Sequence, residues 1–576
     1  MADAAATAAL RDLAAAASGL AAARSRLAPA WEIAGARTSA EIERTAGWDS
    51  FREAVAWQSP GAADRALDGL LRRSGTPRNA ALRRDEDLVA SYLQRYCVKN
   101  DTIGFFGPVG WAEIRDDGGP VAVHPGPGLL EQRQVFFESW PIDALAARLA
   151  AEPGIRPCLA PRLRLGCHLR GQVLHLPGGR EVPLPAAQAA LLAECDGRRP
   201  ARTIAAALAG RSPLPALATS GGVYALLAQL AGMGLVTWTL EAPLELRPEE
   251  TLRQALLRVE PAALREQVLA PLLELDGARQ DLARAAGDAR QVQAAMRRLE
   301  DTFTRLTGEP ARRQHGKFYA ARGLVYEECR RGAEVAFGPE LVRRLAPLGW
   351  LLAGARWLAG ELARGVERRL RALHDELRQG SGGGAVDSFA LVSRALPSLF
   401  YKQQRDATFV ELESELQRRW AGVLALPATP AVAPAGSGAR VQRTMREIAD
   451  RFAAAFGEAA PAFGLVRWFS PDLMIAARGE AAFRAGEFQL VLGEIHAGNT
   501  LSWSSFVSQH PQPEQLLRNV ERDLDGGQVV MPQLLKAYFT QRNNSCLVLP
   551  SFLRYELSEE APGRPPCASL PAAEVV

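Results

Sequence analysis

One run, Lys99-Asn-Asp-Thr-Ile-Gly-Phe-Phe-Gly-Pro-Val-Gly-Trp111, limits what this chain can fold into more than any other stretch. It follows a helical pattern over 85–96 that sets Leu88, Tyr92 and Leu93 on one face. Asn100, Asp101 and Thr102 then offer short polar side chains where such a helix stops. Gly104, Gly107 and Gly110 let the backbone come close to a neighbour or a ligand. The helix must therefore end in a tight turn, which leads into expected strands at 109–114 and 121–124. Arg95 and Lys99 stand one helical turn apart on the same face, at the negative end of the helix dipole. Two cations there can hold a phosphate or a carboxylate, although the same spacing also describes a solvated helix face.

The rest of the chain alternates between helical and strand periods, which predicts an α+β fold. At 576 residues the chain is too long for one core, so several domains are expected. An Ala- and Leu-rich amphipathic helix spans about 3–27. Between Pro157 and Pro243 the rhythm changes to short strand-like runs at 162–165, 172–176 and 181–184. Helical patterns at 185–194, 201–208 and 222–233 come next, and a strand at 235–240 closes the segment. A small antiparallel sheet, three helices and a closing strand make a compact winged-helix plan. Helices dominate from Arg247 to Gly308 and from Pro339 to Leu377, with strand-like residues at 323–326 between them. Gly380–Gly384 and Pro427–Gly438 read as loops. The last part mixes helices with strands such as 488–495 and 546–549. These breaks divide the chain into 1–156, 157–243, 244–426, 439–558 and a Pro-rich tail at 559–576.

Composition excludes several classes. The formal charge of +4 singles out no polyanionic partner. Lys99, Lys317, Lys402 and Lys536 are the only lysines among 68 basic residues, an Arg bias that fits a GC-rich genome. The seven cysteines form no C-x-x-C pair, so neither a metal site nor a disulfide framework is expected. The first residues carry Asp3 and no basic cluster, unlike a secretory signal, so the expected compartment is the cytoplasm.

The run Lys99–Trp111 resembles a turn of the lantibiotic dehydratases, in which two basic residues four apart precede a Thr-Pro-Phe-Gly-like sequence. Arg95 and Lys99 fill the basic positions and Gly104 the family glycine, whereas Lys99 replaces an Arg and Thr102 replaces a Pro. Phe51-Arg-Glu-Ala-Val-Ala-Trp-Gln-Ser-Pro60 resembles the family's early Glu-Ala-x-x-x-Ala-Ser-Pro helix end. Tyr319–Cys329 is similar to a central strand that delivers an acidic residue, with Glu328 favoured over Glu327. Phe469–Met474 and Gly493–Asn499 are similar to further family segments, and Glu494 and His496 share a face of the second if it is a strand.

The resemblance implies a multi-domain, lantibiotic dehydratase N-terminal-like fold whose activity is glutamate transfer from glutamyl-tRNA to Ser or Thr of a ribosomally made precursor peptide. The aminoacyl ester is already activated, so no cofactor or ATP is expected, and the chain contains no phosphate-binding G-x-x-x-x-G-K-[ST] loop. Arg95, Lys99, Glu328 and His496 become the candidate catalytic residues, and Asp101, Thr102, Gly104 and Arg322 the candidate tRNA or substrate contacts. The segment from Pro157 to Pro243 resembles a PqqD-like leader-recognition element, including Cys195-Asp-Gly197 and Gly234-Leu-Val-Thr-Trp238. There a leader peptide would add a strand beside Glu181, Val182 and Leu184, against Tyr224 and Leu227. The third helical pattern, 222–233, holds no Arg or Lys, which argues against DNA as a partner. The family's elimination domain is expected to be missing and supplied by a separate chain or cyclase, and a homodimer is compatible with the sequence. A peptide aminoacyl-tRNA ligase and a non-catalytic leader-binding scaffold stay open as other readings.

Overall fold

The computed structural model describes residues 2–73, 75–98, 104–164, 167–176, 180–241, 246–313, 323–380, 386–387, 391, 394–395, 407–426, 441–457, 468–497 and 504–523, with strand fragments at 530–532, 555–557, 568–569 and 574–575. The fold is mixed α and β, as the alternating periods required. Helix α1 (Ala2–Gly47) is followed by α2 (Asp49–Gln58), which opens on Asp49 at its positive end and buries Phe51, Glu53, Ala54, Val55 and Ala56. Helix α3 (Ala80–Val98) carries Arg95 in its last turn. Strands β1 (Ala112–Ile114) and β2 (Val121–Phe137) come next, then α4 (Ser139–Ala150), which buries Trp140, Ile142, Leu145 and Leu149.

The middle of the chain contains β3 (Arg162–Leu163), then β4 (His168–Arg170), β5 (Val173–Leu176) and β6 (Arg180–Pro183) as an antiparallel three-stranded sheet. Helices α5 (Ala186–Glu194), α6 (Ala201–Leu208) and α7 (Ser220–Gly232) follow, and β7 (Val236–Thr237) pairs back with β3. The hydroxyl oxygen of Thr219 accepts the Gly222 amide and caps α7. The closing strand is only two residues long, shorter than the expected 235–240. Its successors Trp238 and Leu240 are nonetheless buried, so the apolar alternation recorded burial without a ladder.

Helices α8 (Pro248–Leu257), α9 (Ala262–Ala285) and α10 (Ala289–Thr307) pack behind the sheet. In α10 the Asp288 carboxylate accepts the amides of Arg290 and Gln291, Gly308 ends the helix at φ 76°, and Val292, Met296, Leu299 and Phe303 fill one face. Strand β8 (Val325–Phe337) then enters between β1 and β2, parallel to the first and antiparallel to the second. The remainder is helical around Trp357, Val423, Ile448, Phe452 and Phe456: α11 (Leu348–Gly380), α12 (Ala407–Leu424) and α13 (Met445–Phe456). The hairpin of β9 (Phe469–Ala477) and β10 (Phe488–Ala497) and helix α14 (Pro513–Asp523) complete it.

Two findings differ from the sequence reading. The strand expected to stop at His124 runs on to Phe137 through Pro125-Gly-Pro-Gly128. Because β2 lies at the sheet edge, the prolines cost no ladder partner on the open side, and the register shifts between Pro125 and Leu130 absorb the extra residues. In addition, one continuous apolar core runs from Ala46 through Phe137, Leu174, Leu191, Leu227 and Leu299 to Val325, across the expected breaks at 156 and 243. Among the described residues no helix is long and apolar enough to cross a membrane.

Candidate functional site

The turn that follows α3 is fastened to β8 at both ends. Gly104 adopts φ 49°, which favours glycine, and a Cβ there would lie 2.9 Å from Glu327 Oε2. That oxygen accepts the Phe105 amide at 3.1 Å. Five residues on, the Val109 amide donates to the Cys329 carbonyl at 2.9 Å and the Arg331 amide returns to the Val109 carbonyl at 2.8 Å. The glycines therefore serve a close approach of two protein segments, one of the two uses the sequence left open.

Behind the turn lies a buried charge cluster. Arg133 on β2 donates from Nε to Glu327 Oε1 at 2.7 Å and from Nη2 to Glu53 Oε1 at 2.5 Å. Glu53 Oε1 also accepts the Gly287 amide at 3.0 Å and the Trp57 indole at 3.3 Å. The Arg133 guanidinium lies 4.8 Å from the Phe105 ring centroid, so the cation that joins the two carboxylates also supports the turn. Two carboxylates share one guanidinium, and burial pushes the Glu327 carboxyl up while Arg133 pulls it down. Burial likewise holds the Cys329 thiol well above the ordinary range, which makes it a poor nucleophile.

Arg95 is half-buried beside Tyr96. The Tyr96 ring packs on Phe51 and Phe106, at 5.8 and 4.6 Å between centroids, and its hydroxyl donates to Gln58 Oε1 at 3.0 Å. The Arg95 end of α3 is thus held against α2 and the turn. Lys99, Asp101, Thr102 and Arg322 lie outside the described residues. Glu328, favoured from sequence, is 2% exposed and alternates to the sheet face opposite Glu327, level with Gln134 across the ladder. Its neighbour Tyr326 stacks on Phe136, and Arg247 lies over that ring. Among the two adjacent acids it is Glu327 that touches the turn.

A cleft of about 450 Å³ opens where the turn ends, lined by Trp111, Arg115, His124, Glu131, Arg330, Arg331 and Gln509 among others. The Trp111 indole donates to the Phe506 carbonyl at 3.0 Å and its ring meets His510 edge-on, which fixes one wall. Arg330 pairs with Glu131 at 3.2 Å, and the cleft holds charges of both signs.

His496 and Glu494 do share a strand face. His496 Nε2 lies 3.6 Å from Glu494 and 3.3 Å from Asp472 across the hairpin. In the middle segment Glu181 is exposed and Val182 half-buried on β6, the open edge of its sheet among the described residues. Tyr224 is half-buried beside Trp238, whereas Leu184 is buried and Leu227 is wholly inside the core. On that edge Glu181 and Val182 are accessible, whereas Leu227 is not. Sequence reasoning missed Glu53 and Arg133. Glu53 carried a signal, because it sits in the quoted Phe51–Pro60 segment, while Arg133 is one arginine among dozens.

A family model described as lantibiotic dehydratase, N terminus, matches residues 49–346, which takes in α2, the turn and β8. No curated protein matches the chain. Among solved structures, the tRNA-dependent lantibiotic dehydratase MibB from Microbispora sp. 107891 shares 18% identity at a TM-score of 0.54, over 83% of this chain and 45% of that one. The glutamylation domain TbtB from thiomuracin biosynthesis shares 16% identity at a TM-score of 0.53, over 91% of this chain and 62% of that one. The same domain bound to 5'-phosphodesmethylglutamycin gives 17% and 0.51. The chain thus spans about half of MibB and under two thirds of TbtB, and the likeness is one of fold.

Proposed function

The chain belongs to the lantibiotic dehydratase family by its N-terminal region, and from that premise we propose that it transfers glutamate from glutamyl-tRNA to Ser or Thr hydroxyls of a precursor peptide. The observation that carries the reading is the family match over 49–346, which takes in the Gly104–Phe105 segment held by Glu327. The fold likeness to MibB, a tRNA-dependent lantibiotic dehydratase, and to the TbtB glutamylation domain points the same way.

In this reading the peptide hydroxyl attacks the carbonyl carbon of the aminoacyl ester. The new ester bond to Ser or Thr forms, the bond to the terminal ribose breaks, and the hydroxyl proton passes to the departing ribose oxygen. No ATP is consumed, since one ester replaces another. Arg95 and Lys99 grip a tRNA phosphate or the glutamate carboxylate. Glu328 holds the α-ammonium or assists the hydroxyl, and His496, between two carboxylates, moves the proton. The mixed-charge cleft beside Trp111 suits a glutamyl group, which carries an ammonium and a carboxylate. The segment from 157 to 243 serves as a PqqD-like leader-binding element, with β6 as the edge that a leader strand extends. Elimination of the ester to a dehydroamino acid follows as a second step, and the work takes place in the cytoplasm.

The test is mass spectrometry of a precursor peptide after incubation with this protein, glutamate, glutamyl-tRNA synthetase and tRNA. The expected result is a tRNA-dependent gain of glutamyl units on Ser or Thr, removed by mild base. A base-stable gain at the peptide C-terminus would replace the reading with peptide ligation. Leader binding with no gain would replace it with a scaffold.

A further inference from the structure

Helix α1 is a long element whose N-terminal part, among the described residues, stands clear of the core. It has 46 residues, so it is about 69 Å long at 1.5 Å per residue. Every residue from Leu13 to Ala34 whose side chain is described is exposed. Contact with the body begins only at Gly35, Ser39, Ile42 and Ala46, the last of which is buried. The exposed part nonetheless carries Leu13 at 67%, Leu20 at 55%, Leu27 at 62% and Trp31 at 74% exposure. Alanine-rich sequence explains why the segment is helical, since Ala has the highest helix propensity. It does not explain leucines in water.

The leucines recur every seven residues, and so do the alanines three positions after each: Leu13, Ala16, Leu20, Ala23, Leu27, Ala30. A seven-residue apolar repeat of this kind is a coiled-coil seam. We propose that α1 pairs with α1 of a second copy of this chain as an antiparallel coiled coil through this seam.

The large–small alternation selects the direction. In a parallel, in-register pair Leu would meet Leu and Ala would meet Ala, which leaves every Ala layer underfilled. Turned antiparallel about a twofold axis between Ala21 and Ala22, Leu13 lies on Ala30, Ala16 on Leu27 and Leu20 on Ala23, and the same layers repeat on the other side. Every layer then sets a large side chain against a small one, the arrangement that fills a helix interface. The seam also stays accessible, because the body-facing line Gly35, Ser39, Ile42 is turned about 100° around the helix from the extension of the seam. Pro29 falls on the outer side, away from the paired layers.

The size of the surface sets the strength. A contact about 33 Å long and roughly 12 Å wide buries on the order of 800 Å² in total, below the ~1,200 Å² of a stable complex. Trp31 and Ile33 flank the seam and widen it. The pair is therefore a reversible, concentration-dependent dimer, and α1 lies before the stretch that matches the family model.

Sedimentation equilibrium of the full chain tests this, with a mass that rises from monomer to dimer as concentration increases to about 100 μM, ten times a Kd of 10 μM. Leu20→Asp, at an exposed position that leaves the fold intact, should hold the mass at that of the monomer. Direction is read from the double variant Leu13→Cys, Ala30→Cys, oxidised and mapped by mass spectrometry. Position 13 linked to position 30 is expected, and the two are too far apart, about 25 Å, to join within one helix. Links of 13 to 13 and 30 to 30 would overturn the antiparallel register. A wild-type mass that stays monomeric, or a dimer indifferent to Leu20→Asp, would overturn the pairing itself.

Discussion

Two of the clusters among the described residues are built from the same ingredients, two carboxylates around one base, in opposite settings. In the first, Glu53, Arg133 and Glu327 have side chains exposed by only 4%, 20% and 1%. In the second, Asp472, His496 and Glu494 sit on a hairpin with exposures of 52%, 34% and 81%. The difference teaches which contacts hold the fold and which add little to it. Buried charges cannot separate without leaving one of them unpaired in a low dielectric, so the first cluster is a structural lock on the turn that carries Gly104 and Phe105. Exposed ones exchange partners with water at little cost, so the second contributes little to stability.

The hardest blow to this contrast is Arg133→Leu. It strands two buried carboxylates and removes the support under Phe105, and it should cost about 3–5 kcal/mol in urea unfolding. A loss under about 1 kcal/mol would show that the cluster is not a lock.

Glu249 sharpens the comparison as a buried carboxylate that its neighbouring cations only partly offset. Arg279 and Arg247, the latter 4.0 Å away, pull its carboxyl down, but burial pushes it from 4.5 up to about 7. The sign follows from linkage. Between these values the folded state holds the proton that the unfolded state has lost, so stability falls as pH rises from about 4.5 to about 7. The penalty at pH 8 is at most about 3 kcal/mol at 1.36 kcal/mol per unit. Glu249→Gln should therefore raise stability at pH 8 and flatten the slope in that window. A profile unchanged by the substitution would mean that the carboxyl finds water.

Gly104→Ala probes the lock from the other side. The φ of 49° and the 2.9 Å approach to Glu327 Oε2 should together cost about 1–3 kcal/mol and depress glutamyl transfer by displacing the turn. If the proposed leader site on β6 holds, leader-peptide affinity should stay unchanged, since no contact joins β6 to Gly104 among the described residues. Equal losses in both assays would point to general unfolding.

The same contrast explains what could be read beforehand. The helical segments at 185–194, 201–208 and 222–233 were legible because their apolar residues face a core at the helical period. The turn was legible because Gly104 has to be a glycine. The lock was not, because Glu327 reaches Phe105 across 222 positions and Arg133 reaches Glu53 across 80, and nothing local marks such partners. Alternation showed that Glu327 and Glu328 point to opposite faces, but which face meets the turn depends on how β8 threads between β1 and β2. The expected strand at 121–124 falls short of Phe137 because Pro125 and Pro127 interrupt the strand pattern, and only the edge position of β2 lets the strand run through them.

The smallest expected effect on stability separates the clusters most sharply. His496→Gln removes a base that lies 3.3 Å from Asp472 and 3.6 Å from Glu494 on an exposed hairpin. Glutamine keeps a donor there, so unfolding free energy should change by less than about 0.5 kcal/mol. Transfer of glutamate should nevertheless fall if the imidazole relays the hydroxyl proton, because an amide cannot take a proton up and give it back. Urea unfolding and tRNA-dependent glutamyl incorporation, measured on one preparation, read both sides. A stable variant with lost transfer places chemistry on the hairpin, whereas a stable variant with full transfer removes His496 from the reaction and leaves the proton to Glu328 or to solvent.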